Sequence, residues 1–86
     1  MKDLLNAIEE KTIEMINIYD KGVHARKISS CEKHMKNFDK LANEISDMIE
    51  KLYNLNYLVY EKNDNEFSLL YNKCKNELEA QLKKIS

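Results

Sequence analysis

Cys31 and His34 are the nearest approach to a metal motif in this sequence. Three residues apart on a helix, they share a face and could grip one ion between them. A zinc site needs four ligands, and the other soft donors, Cys74 and His24, stand singly in different segments. No metal is therefore expected. Both cysteines also fall on apolar stripes of helical spacing, where a free thiol behaves as a small buried hydrophobe. Core thiols are the expectation. The single glycine excludes the phosphate-cradling and dinucleotide loops, which need two or three. The pattern H-E-x-x-H is absent, and a Ser–His–acid triad has few loops to hold it. No cofactor is expected.

Three other groups have the chemistry of contact. His24, Arg26 and Lys27 form a basic cluster after the first helix. It reads either as a solvated turn or as a docking patch steered to an acidic surface. Tyr53, Tyr57 and Tyr60 share one side of the second helical segment. Tyrosine joins a large apolar body to a polar tip, which suits interfaces; packing beneath the third helix is the other reading. Ile13 and Ile18 sit off the main apolar face of the first helix. They are either ordinary scattered exposed residues or part of a contact surface.

The elements that must carry these residues follow from periodicity. From Ile28, the residues Cys31, Met35, Phe38, Ala42, Ile45, Ile49, Leu52, Asn56 and Val59 recur every third or fourth place, and Asn56 is the one polar member. His34, Leu41, Met48 and Leu55 run beside them. This stripe is wider than a coiled-coil seam and demands cover from other helices. Upstream, Leu4, Leu5, Ile8, Thr12, Met15, Ile16 and Tyr19 form one face of a helix over 3–21, with Asp3 in its first turn. Gly22 follows, where a left-handed residue would end that helix. Ser29 and Glu32 have capping-box spacing, although the second helix could begin as early as Ala25. Asn63-Asp64-Asn65-Glu66 reads as a turn and cap before a third helix with Phe67, Leu70, Tyr71, Cys74, Leu78, Leu82 and Ile85 inward. The expected fold is all-α: a single domain over 1–86, an antiparallel three-helix arrangement at about 3–21, 25–60 and 65–85, with a long central helix.

Composition limits the classes of function. Eighty-six residues make one small domain, with a core that packs well or borrows surface from a partner. Fourteen basic residues against fifteen acidic give a net charge of −1, without the positive excess that nucleic-acid binding needs. No apolar run approaches a membrane span, and the start Met-Lys-Asp-Leu-Leu-Asn lacks the apolar core of a secretion signal. The expectation is a cytoplasmic protein with reduced thiols, bound to neither membrane nor nucleic acid.

One stretch resembles a known family. Leu4-Leu5, Ile8-Glu9-Glu10-Lys11, Met15-Ile16, Gly22 and Phe38-Asp39-Lys40-Leu41-Ala42-Asn43-Glu44 look like the short Spo-zero-E-like proteins of spore-forming bacteria. The likeness covers about residues 4–45 and leaves the third helix outside. It implies a helical hairpin that removes the phosphoryl group from the aspartyl-phosphate of a sporulation response regulator. The family's active segment is of the type S-Q-E-L-D-x-L-I-N-E-Y. Asp39 aligns with its Asp, and Phe38 replaces the Leu. Met35 stands where the family has Ser, and Lys36 and Asn37 replace Gln and Glu. The interval from Gly22 to Asp39 is a few residues longer than in the family. A member altered in this way could dock a receiver domain without hydrolysing anything. On position alone, Asp39 lies at the margin of the stripe, where a carboxylate can orient a water or pair with a nearby lysine.

Two functions follow as expectations. One is a small regulator that docks a response-regulator receiver domain and acts through Asp39. The other is a non-catalytic adaptor or inhibitor, such as phages encode, that blocks a host enzyme by protein–protein binding. A homodimer through the apolar end of the second helix is a third outcome.

Overall fold

The computed structural model describes all residues 1–86 and contains three helices and no strand: α1 (Lys2–Val23), α2 (Ile28–Glu50) and α3 (Tyr57–Ile85). They form an elongated three-helix arrangement of about 44 × 18 × 14 Å. At 1.5 Å per residue, the 29 residues of α3 alone span about 43 Å and so set the long axis.

Each helix forms for a reason visible in its residues. Ile8, Met15 and Gly22, seven apart, are the buried positions of α1, and Asp3 sits in its first turn against the positive end of the helix dipole. The stripe of α2 buries Cys31, Phe38, Leu41, Ala42, Ile45 and Ile49. Cys74 and Leu78 are the buried positions of α3. All but Gly22 and Cys31 join Leu52 in one core cluster, with Leu4, Leu5, Phe67, Leu70 and Tyr71 packed around it. Phe38, fully buried, stacks on Tyr71 with ring centroids 5.5 Å apart. Cys31 and Cys74 are buried free thiols.

The structure corrects several boundaries. The second helix does not run to Tyr60; it ends at Glu50, and residues 51–56 form a tight turn. Tyr53 N donates to Glu50 O at 3.1 Å and Leu55 N to Leu52 O at 3.0 Å, three-residue closures that wind the helix out. Asn56 then caps α3: its backbone is extended (φ −162°, ψ 104°), and its side chain accepts from Val59 N at 3.2 Å. The longest helix is therefore α3, not the central one. Asn63, Asp64 and Asn65 lie inside α3, and Asn63 donates its side-chain amide to Val59 O at 2.8 Å.

At the other connection, the cap position of α2 is Lys27, without a side-chain bond, and Ser29 lies within the helix. Gly22 has no positive φ and stays inside α1. Its absent side chain serves packing instead. A Cβ there would run into Leu78 Cδ2 and lie 3.4 Å from His34 Cβ.

Candidate functional site

The turn between α2 and α3 gathers the three tyrosines. Tyr53 lies in the turn itself, while Tyr57 and Tyr60 stand on the first turn of α3, not on α2. The rings of Tyr53 and Tyr57 meet edge to face at 5.4 Å and those of Tyr53 and Tyr60 at 5.2 Å, while Tyr57 and Tyr60 are tilted to each other at 5.8 Å. Such geometry suits the ring quadrupoles. Tyr60 leans on the core, but Tyr53 and Tyr57 are more than half exposed. Leu55 is 59 % exposed beside them and Leu58 77 %. Two leucines this open to water, in one run with two half-exposed tyrosines, suit a contact surface. The Tyr60 hydroxyl is pushed up from its ordinary pKa, chiefly by the charge of Asp64.

Sequence reasoning placed Leu55 on the covered stripe of the second helix and did not single out Leu58; the structure leaves both exposed. The signal that could have found them is Asn56, the single polar residue in an otherwise apolar stripe. Read as a cap, it ends α2 early and turns Leu55 and Leu58 outward.

Asp39 occupies a different place, between α2 and α3. Its Oδ1 accepts from the Tyr71 hydroxyl at 2.9 Å and its Oδ2 from Lys75 Nζ at 2.6 Å. Both carboxylate oxygens are engaged within the chain, and the side chain is 41 % exposed. Burial first, then the bond to Asp39, raises the Tyr71 pKa above its usual value. The arrangement ties α3 to α2.

His24, Arg26 and Lys27 sit exposed at the α1–α2 turn. His24 Nδ1 donates to the Asp20 carbonyl at 2.7 Å, which ends α1 locally. Gln81 Nε2 donates to Ala25 O at 2.7 Å, so the end of α3, with Lys83 and Lys84, lies against this turn. Ile13 is 53 % exposed, whereas Ile18 is half-buried against the core. Ile16, expected inward, is 37 % exposed. No three His, Cys, Asp or Glu side chains converge in a metal-binding group. Burial raises both thiols above the ordinary cysteine pKa, with a smaller push from Glu32 on Cys31 and from Glu77 on Cys74. They are poor nucleophiles at neutral pH. No helix is long and apolar enough to cross a membrane.

No family model matches the chain, and neither a curated protein nor a solved structure matches it.

Proposed function

We propose that this chain is a small cytoplasmic regulator that works by docking a partner protein through its α2–α3 turn, without chemistry of its own. The observation that carries this reading is the run of Tyr53, Leu55, Tyr57 and Leu58, exposed where the turn leads into α3, with Tyr53 and Tyr57 in ring contact. Rigid aromatic anchors lose little entropy on binding and dominate interface energetics. The two unpaired buried thiols suit a reducing compartment.

The partner implied by the resemblance is a response-regulator receiver domain. In that version Asp39 would act on an aspartyl-phosphate, and it would first have to leave Tyr71 and Lys75. An inhibitor of a host enzyme needs no such release.

The test is a pull-down from the source organism's lysate with wild type, a Tyr57→Ser/Leu58→Ser double variant and Asp39→Ala. The expected result is a protein held by wild type and Asp39→Ala but lost by the double variant. Equal capture by the double variant would end the docking reading. A receiver domain whose phosphate is released faster by wild type, and not by Asp39→Ala, would establish the phosphatase instead.

A further inference from the structure

The face shared by α1 and α3 is apolar at its centre and has nothing over it. Tyr19 of α1 donates to Glu77 of α3, and Gly22 meets Leu78, so the two helices run parallel with an offset of 56 to 58 residues. Ile13 is therefore level with Leu69 and Leu70. Ile16 follows Thr12 by four residues and precedes Tyr19 by three, which places it on the side of α1 that looks toward α3. Leu69 follows Glu66 by three on the matching side of α3. Ile13, Ile16 and Leu69 are 53 %, 37 % and 73 % exposed, all near the middle of the long axis. Beside them a cleft of about 140 Å³ opens between the helices, lined by Ile8, Thr12, Glu66, Phe67 and Leu70.

Charge is distributed unevenly along the same axis. The half built from residues 12–43 and 71–86 carries ten Lys and Arg against six Asp and Glu. The half built from 1–11 and 44–70 carries four against nine. One end of the rod is thus at +4 and the other at −5.

We infer that this face is covered by a second copy of the chain, laid antiparallel across a two-fold axis near Ile13. An isologous contact of this kind sets each positive half against the other copy's negative half. A parallel dimer would align like charges, and a contact through the tyrosine turns would bring two acidic halves together. A two-fold axis at residue 13 places Ile16 of the second copy level with residue 10, over the cleft between Ile8 and Thr12. The rod is about 44 Å long, so two copies laid antiparallel meet along most of their length. The α1 and α3 helices of both copies then form a four-helix layer, with α2 outside on each side. This inference is independent of the docking turn, because its residues lie at the middle of the rod.

The test is light-scattering mass over a hundred-fold concentration range. Wild type is expected as a dimer, and Tyr57→Ser/Leu58→Ser should dimerise equally. Ile13→Asp/Leu69→Asp should be monomeric with unchanged helix content, since both sites are already exposed. Under mild oxidation, Ile13→Cys should cross-link into a covalent dimer and Leu55→Cys should not. Raising salt from about 0.05 M to about 1 M should weaken the antiparallel dimer about ten-fold; a parallel one would tighten. A wild type that is monomeric throughout, a dimer indifferent to Ile13→Asp/Leu69→Asp, or a dimer that tightens with salt would each overturn the inference.

Discussion

Replacing Asp39 with alanine removes two hydrogen bonds at once and loosens α3 from α2. The Asp39 carboxylate accepts from Tyr71 at 2.9 Å and from Lys75 at 2.6 Å. Hydrogen bonds to a charged group contribute about 1.5–3 kcal/mol each when well buried. Here the side chains of Asp39 and Lys75 are 41 % and 23 % exposed, so water screens the ion pair and rehydrates the freed ammonium. A net loss of about 2 kcal/mol is the reasonable sum. In a domain of this size that lowers Tm by about 8–16 °C. Thermal and urea unfolding followed by far-UV circular dichroism would measure it. Lys75→Met, alone and combined with Asp39→Ala, gives the coupling between the two, expected at about 1 kcal/mol. Asp47→Ala is the control: Asp47 is exposed, makes no ion pair, and should change stability by less than about 0.5 kcal/mol. If Asp39→Ala melted within about 2 °C of wild type, Asp39 would not be the tie between helices, and its conformation would be free for other work.

Three further predictions test the packing. Gly22→Ala should destabilise the protein by about 1–2 kcal/mol despite alanine's better helix propensity, because the new methyl would force the fully buried Leu78 side chain to shift within the core; a Tm equal to or above wild type would refute the close approach. The Tyr19 hydroxyl is pushed up to about 12, first by its bond to Glu77 and then by burial. A pKa raised on folding gives stability that is whole below the unfolded value of 10 and lost as pH climbs through about 12. Phenolate absorbance should therefore show one tyrosine titrating last, and Tyr19→Phe should abolish that step. Cys31 and Cys74 should react slowly with a thiol-specific disulfide reagent at neutral pH and quickly once the chain is unfolded, since burial both hides them and raises their pKa; fast native labelling would show that one of them is accessible.

Much of this architecture is written in the order of the residues. One glycine, no proline and apolar residues every three or four places leave little choice but long helices that cover one another. The burial of Phe38, Ala42, Ile45 and Ile49, and of both thiols, follows from that spacing, because periodicity fixes which side of a helix a residue occupies. Periodicity says nothing of where an unbroken stripe should stop. The segment from Leu52 to Tyr60 is apolar nearly all round, and a helix continued through it would expose one side whatever its rotation. Tertiary packing settles the competition: turning the chain at 51–56 buries Leu52 and folds Val59 and Tyr60 back onto the core. The local gain that marks the turn is a single Asn56 cap, about 1 kcal/mol, too small to outweigh the apolar pattern on paper. Asp39 shows the same divide. Its position on the edge of α2 is legible in sequence, but Tyr71 and Lys75, 32 and 36 residues away, become its partners only when α3 packs alongside. The sequence determines which faces are apolar and that the chain folds as helices. Contacts across the chain depend on distances that only the packed helices create, and they decide where the helices end, why residue 22 carries no side chain, and which tyrosines and leucines are left facing water.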